Sequence, residues 1–189
     1  MIELEETAIP DVKVLRPKRF GDSRGYFSET YNKQALAKAG IDFDAIQDNE
    51  SLSAAAGTIR GLHFQKPDAA QAKLVRVLSG SIFDVAVDLR RGSPSYGQHV
   101  GVTLTADDWT QILIPKGFAH GFCTLTPDTR VFYKVDAYYS QALDAGLIWN
   151  DADLAIDWQV SPDKVTLSEK DGRLPRFSDF DSPFVYQGG

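Results

Sequence analysis

Residues 73–88 read KLVRVLSGSIFDVAVD, from Lys73 to Asp88, and their pattern decides the fold class. Two short runs rich in Val, Leu and Ile flank Gly80, which sits at a turn-like position. The second run alternates large side chains with small or polar ones, as a half-buried strand does. No helix-length crossover separates them, so Lys73 to Ser79 and Ser81 to Leu89 are expected to be antiparallel strands. Further runs of the same kind lie on both sides: Val12 to Arg16, Gln47 to Ser53, Ile59 to Gln65, His99 to Thr105, Trp109 to Ile114, Gly121 to Leu125 and Arg130 to Ala137. Many short strands at a spacing of roughly 8–12 residues indicate an all-β sandwich or barrel. One helix is predicted at Lys33 to Ala39, stopped by Gly40. Ser168-Glu-Lys-Asp171 has the form of a capping box, with Ser168 as N-cap, and predicts a short terminal helix.

With 189 residues, 43% of them hydrophobic, the chain can bury one sizeable core, and no repeat or linker suggests a second. Residues 1–189 are therefore expected to form one domain, its barrel core at about 45–140, with N-terminal strands and a C-terminal helical tail packed on it. The formal charge of -6 argues against a nucleic-acid surface, which needs a basic stripe. It leaves an anionic small molecule open, because a few convergent Arg and Lys set a pocket's potential. The start, Met1 to Glu6, lacks the basic and apolar regions of a secretory signal, and Asp84 and Asp88 interrupt the apolar run from Ser81. A lone cysteine, Cys123, fits a reducing compartment. A soluble, cytoplasmic protein with no membrane partner is expected.

The candidate chemistry centres on two of the three histidines. His63 lies in Ile59-Arg-Gly-Leu-His-Phe-Gln65 and His120 in Pro115-Lys-Gly-Phe-Ala-His-Gly-Phe122. A lone histidine is ordinarily a satisfied core or surface residue. Here the contexts, with Gly80 and Gly117 at turn positions, resemble the two motifs of cupin barrels. A metal-binding cupin would need a His-x-His pair and a Glu on the first motif and a His on the second. This chain has Phe64 and Gln65 after His63, and a cation, Lys73, where a further ligand could be sought. No metal or cofactor is expected, which leaves His63 free as a base. Strand parity points Arg60 away from His63 unless Gly61 marks a bulge, and a bulge is expected. Tyr133 shares a strand face with Val131 and Val135, so it is either a core residue or a general acid. Asp171 either caps a helix or orients a histidine.

The segments FGDSRGYFSET (Phe20 to Thr30), QDN (Gln47 to Asn49), RGLHFQ, KLVRVLSGSIFDVAVDLRRGSPSYG, IPKGFAHGF and VFYKVDAYYS follow one another in a familiar order. Together they resemble the dTDP-4-dehydrorhamnose 3,5-epimerase family, over about Pro10 to Pro175. The resemblance implies a homodimeric, cupin-type antiparallel jelly-roll barrel with a few short peripheral helices. Its implied substrate is a dTDP-linked 4-keto-6-deoxyhexose, inverted at C3 and C5 on the way to dTDP-L-rhamnose. Carried over, His63 is the base, Tyr133 the acid on the opposite face, Asp171 the orienter of His63, and Lys73 the cation that holds the developing enolate. Phe20, Arg24, Glu29, Gln47, Asp48, Asn49, Arg60, His120, Tyr139, Asp144 and Lys170 match positions that line the nucleotide-sugar site. Two positions depart from the family pattern: Asp144 stands where Glu is usual, and Ala145 where Arg is common. The competing readings are a relative that inverts only one carbon of another deoxysugar nucleotide, a metal-dependent cupin enzyme, and a noncatalytic sugar-binding cupin.

Overall fold

The computed structural model describes residues 2–188; Met1 and Gly189, the two ends of the expected domain, lie outside the described residues. Thirteen strands form two main sheets and a hairpin: β1 (Ile2–Glu6), β2 (Lys13–Pro17), β3 (Arg19–Asp22), β4 (Gly25–Ser28), β5 (Gln47–Ser53), β6 (Ile59–Gln65), β7 (Lys73–Ser79), β8 (Ser81–Asp88), β9 (His99–Thr105), β10 (Gln111–Ile114), β11 (Phe118–Thr124), β12 (Thr129–Val135) and β13 (Asp144–Gly146). The larger sheet has the order β1-β2-β10-β7-β12-β5 and the smaller β13-β6-β11-β8-β9, with β3 and β4 a separate pair. Every pairing between these strands is antiparallel. The fold is the expected all-β jelly roll.

Alternation in the deciding stretch is what builds the sandwich. Val75 and Val77 on β7 turn inward with Ile112, Ile114 and Val131, and meet Ile82, Ala86, Leu104 and Phe122 from the facing sheet. The other side of β8 and β11, with Val85, Val87, Ala119 and Cys123, is covered by the C-terminal segment through Leu154, Trp158 and Phe184. A fully buried aliphatic or aromatic side chain contributes about 1.5–3 kcal/mol relative to exposure. The alternation in β8 led to the expectation of a half-buried strand, but the C-terminal segment covers its second face and nearly the whole strand is buried.

The helix, α1 (Lys33–Lys38), falls where expected. Asn32 caps it by accepting from the Ala35 N–H at 3.0 Å, and Gly40 follows at φ +80°, the left-handed conformation that ends helices. Its buried Leu36 packs with Ile41, Phe43 and Leu74 on the outer face of the larger sheet.

Four strands escaped the sequence reading. β1, Ile-Glu-Leu-Glu-Glu, and the hairpin β3–β4 are mostly exposed, so no apolar stripe announces them. β13 has three residues and exists only because it pairs with β6. β10 begins at Gln111 rather than Trp109, because Trp109 takes φ +46° after a turn in which Thr105 Oγ1 accepts from the Asp108 N–H. The expected terminal helix is a single 3-10 turn, Asp171–Arg173. Pro175 disfavours helical backbone at Leu174, which is extended at ψ 149°.

Candidate active site

The bulge expected at Gly61 is present. In the β6–β11 ladder His63 faces His120 and Arg60 faces Phe122, so Gly61 and Leu62 together oppose one residue, Gly121. Gly61 has φ +135°, and a Cβ there would lie 2.5 Å from the Gly121 Cα, so no larger residue fits. The extra residue turns Arg60 and His63, three apart, to the same side, and both line one cavity between the sheets. That cavity measures about 400 Å³ and also presents Lys73, His120, Tyr133, Lys170 and Asp171. A second hollow of about 280 Å³ adjoins it, sharing His63, Lys73, Tyr133 and Lys170 and adding Gln47, Asn49, Gln65, Tyr139 and Asp144.

His63 Nε2 is 2.6 Å from Asp171 Oδ1. The capping reading of Asp171 and the orienting reading both describe real contacts. Its backbone N–H donates to Ser168 Oγ at 3.0 Å, while its carboxylate turns to His63. Burial works to raise the Asp171 carboxyl, but hydrogen bonds and charge from His63, with help from Ser168 and the Gly61 backbone, hold it below the ordinary aspartate value. The carboxylate thus stays ionised and can fix the ring's orientation and tautomer.

On the facing sheet, β12 sets Tyr133 between Asn49 of β5 and Val75 of β7, and Val135 between Gln47 and Lys73. Burial is the main reason the Tyr133 phenol lies above its ordinary value; Arg60 opposes this and Asp144 adds to it. Tyr133 therefore carries its proton at neutral pH. Lys73 is half-buried by exposed area yet enclosed by the cavity walls, and desolvation pushes its ammonium down to about 8 against the attraction of Asp84 and Asp144. Arg60 is aimed by Ser53 Oγ at 3.1 Å and the Leu52 carbonyl at 3.1 Å.

Asp144 gathers the mouth of the second hollow. It pairs with Lys170, accepts from Gln65 Nε2 at 3.3 Å and from the Tyr139 hydroxyl at 3.2 Å. Gln47 is held by Asn49 at 2.9 Å and accepts from the Tyr139 N–H at 3.2 Å. Asp48 points to the other face of β5, where it pairs with Lys134 at 2.8 Å. Phe20, Arg24 and Glu29 line neither hollow; they belong to the exposed β3–β4 hairpin and the residue after it, where Arg24 is tied to Asp22 at 2.6 Å.

Two groups were missed, Ser51 in the wall and Asp84 behind it. Asp84, 0% exposed, was read only as a break in an apolar run, although it shares the inward face of β8 with Ile82 and Ala86. A carboxylate on the core face of a strand was the available signal. Ser51, whose Oγ is buried without a partner, gave none. Among the described residues no group of three or more His, Cys, Asp and Glu is arranged to hold a metal ion, and no helix is long and apolar enough to cross a membrane.

A jelly roll whose cleft sets an acid-oriented histidine against a tyrosine, with a lysine beside them, defines a cupin-type proton-transfer isomerase. The sequence profile described as dTDP-4-dehydrorhamnose 3,5-epimerase matches residues 6–179. An enzyme of that name from Sinorhizobium fredii is 48% identical over 182 residues, 96% of this chain and 93% of its own. A crystal structure from Bacillus anthracis with TDP and PPi bound is 53% identical, with a TM-score of 0.90 over 94% of this chain and 100% of that one. The dTDP-6-deoxy-D-glucose-3,5-epimerase of Legionella pneumophila, solved in complex with dTDP-4-keto-L-rhamnose, is 40% identical with a TM-score of 0.94 over 100% of both chains. The chain belongs to the dTDP-4-dehydrorhamnose 3,5-epimerase family, whose members are isomerases acting on nucleotide sugars.

Proposed function

We propose that the chain inverts C3 and C5 of dTDP-4-dehydro-6-deoxy-D-glucose, giving dTDP-4-dehydro-L-rhamnose. One observation carries this: His63 belongs to one sheet and Tyr133 to the facing sheet, and both line both hollows. A sugar ring held between them meets a base on one face and an acid on the other. His63 takes the proton from a carbon beside the C4 ketone, and the C–H electron pair moves onto the ketone oxygen. The Lys73 ammonium stabilises that enolate, a contribution on the order of 3 kcal/mol for comparable oxyanion donors. Tyr133 returns a proton from the opposite face and the ketone re-forms, leaving the carbon inverted. His63 then gives up its proton to water and Tyr133 regains one from water, which restores both groups. The same sequence at the second carbon, followed by the same exchange with water, completes the product.

Asp171 holds the His63 ring, and Arg60 has the forked donors that suit a diphosphate. The positive charge that the enolate needs comes from Lys73, so this reading requires neither metal nor redox cofactor. Phe20, Arg24, Glu29 and Asp48 serve as substrate contacts only if they meet the cleft of a second copy. A homodimer fits the exposure of Phe20, Tyr26 and Phe27, 55%, 64% and 67%, on the hairpin. Light scattering at micromolar concentration is expected to give twice the chain mass. Residues 1–189 act as one domain in this reading. The single, buried cysteine is in keeping with the cytoplasm.

The test is incubation of chelator-treated protein with the 4-keto sugar nucleotide in deuterium oxide, followed by NMR of the sugar. Deuterium at both C3 and C5 is expected. Label at one carbon would reduce the activity to mono-epimerisation, and loss of activity on chelation would bring back a metal-dependent reaction.

A further inference from the structure

One buried acid behind the cavity wall, in contact with His120, has no part in the proton transfer. Asp84 projects from β8 into the interior, where its Oδ2 lies 2.9 Å from His120 Nε2 and its Oδ1 is buried with no partner. A buried carboxylate oxygen left without a donor is costly and uncommon in a native protein. It marks a residue kept for something other than its own hydrogen bonding.

The bond to His120 has a definite chemical consequence. A carboxylate only accepts, so Nε2 must carry the hydrogen. Burial pushes the His120 imidazole below its ordinary value despite the attraction of Asp84, with Lys73 and His63 adding to the fall. A neutral ring with its hydrogen on Nε2 keeps a lone pair on Nδ1, and Nδ1 makes no hydrogen bond within the described residues. His120 lines the same cavity as His63, directly across the strand pair from it. Lys73 projects into that cavity from the opposite sheet, also without a hydrogen-bonded partner among the described residues. Of the two acids whose charge favours its ammonium form, Asp84 contributes more than Asp144, and Asp144 is already bonded to Lys170, Gln65 and Tyr139.

We propose that Asp84 is a positioning residue with two duties: one oxygen fixes the proton of His120 on Nε2, leaving Nδ1 to accept from a sugar hydroxyl, and the other supplies the counter-charge that keeps Lys73 cationic where the enolate oxygen forms. The proposal rests on the epimerase reading. It gives the cleft two His–Asp pairs with different tasks: His63–Asp171 moves the proton, while His120–Asp84 holds the substrate and the charge.

Asp84→Asn tests this in the full chain, because asparagine keeps the size and one acceptor oxygen but removes the charge. The expected result is a kcat lower by about 10- to 100-fold, with KM within about threefold of wild type. The alkaline limb of kcat/KM moves to lower pH, since Lys73 loses its larger counter-charge and deprotonates sooner. The other titratable groups facing Lys73 stay in place: Arg60 and His63 from β6, His120 from β11, Tyr133 from β12, Asp144 from β13 and Lys170 from the C-terminal segment. Movement of the limb therefore reports Asp84.

Nitrogen-15 NMR of the three histidine rings, assigned through single substitutions, gives a readout that needs no substrate. Wild-type His120 is expected as the Nε2–H tautomer. An unchanged limb with a rate loss that only follows the folded fraction, or a wild-type His120 protonated on Nδ1, would overturn the proposal. If wild-type protein puts no deuterium into the sugar, the epimerase reading fails instead, and the ring tautomer still decides the His120 half of the inference.

Discussion

The two faces of the strands β5, β12 and β7 both carry polar residues and do different things with them. On the inner face Asn49, Tyr133, Lys73 and Ser51 project between the sheets, where burial raises the Tyr133 phenol and pushes Lys73 down to about 8. On the outer face the residues between them, Asp48, Glu50, Arg130 and Lys134, pair with one another at 2.8–3.0 Å. A one-residue step along a strand thus separates residues enclosed between the sheets from residues joined in ion pairs on the outer face. Burial, not residue type, makes the difference: a charge out of water costs free energy that a neutral form avoids, while an exposed pair keeps its hydration.

The sharpest way to break that contrast is to remove the group that faces the inner side from the opposite sheet. His63→Ala is expected to lower the rate of deuterium incorporation by about 10²–10⁴-fold, with the sugar nucleotide still bound, as followed by NMR and calorimetry. Retention of near-wild-type exchange would move the base elsewhere. Tyr133→Phe separates the two halves of the reaction. Proton removal by His63 continues, so label still enters the sugar, while the yield of inverted product falls about 10²-fold.

Lys73→Met is expected to split activity from stability. The rate falls about 10²-fold or more as the enolate loses its cation. At pH 7, however, the variant unfolds at higher denaturant, by about 1–3 kcal/mol, because a buried ammonium with a depressed pKa destabilises the folded chain. The folded value of about 8 lies below the unfolded 10.5, so the unfolded chain binds the extra proton between those values. Wild-type stability should therefore rise with pH across that window, and Lys73→Met should lose the rise. Urea titrations at pH 7, 8 and 9.5 measure it.

How far the sequence disclosed all this follows the same inner and outer division. Residues 73–88 and the other apolar strands were legible because alternation reports a face packed on a core. Gly61 was legible as a bulge because a glycine between Arg60 and Leu62, inside a strand, has few other uses. The hairpin β3–β4 was not, since its aromatic residues meet solvent in the single chain and no alternation of burial marks it. Asp171 could be placed beside His63 only by resemblance: 108 positions separate them, and the capping pattern around Ser168 explained the aspartate equally well. Asp84 sat in plain view on a core-facing position and was taken for punctuation.

The outer face supplies the smallest expected effect and the control for the others. Arg130 and Glu50 lie 3.0 Å apart with side chains about half exposed, 53% and 47%, on strands adjacent to Tyr133 and Asn49. If burial rather than neighbourhood sets the inner residues' behaviour, this pair should couple by only about 0.2–1 kcal/mol in a double-mutant cycle of Arg130→Ala and Glu50→Ala. The coupling should shrink further as salt is raised, because exposed charges are screened. Deuterium incorporation by all three variants should match wild type, their side chains being on the far side of the strands from the cleft. A coupling of several kcal/mol would mean that this face is buried against something when the protein is in solution. The exposed hairpin makes a second copy the first occupant to look for, and the coupling would then depend on protein concentration, as that of an exposed pair within one chain would not.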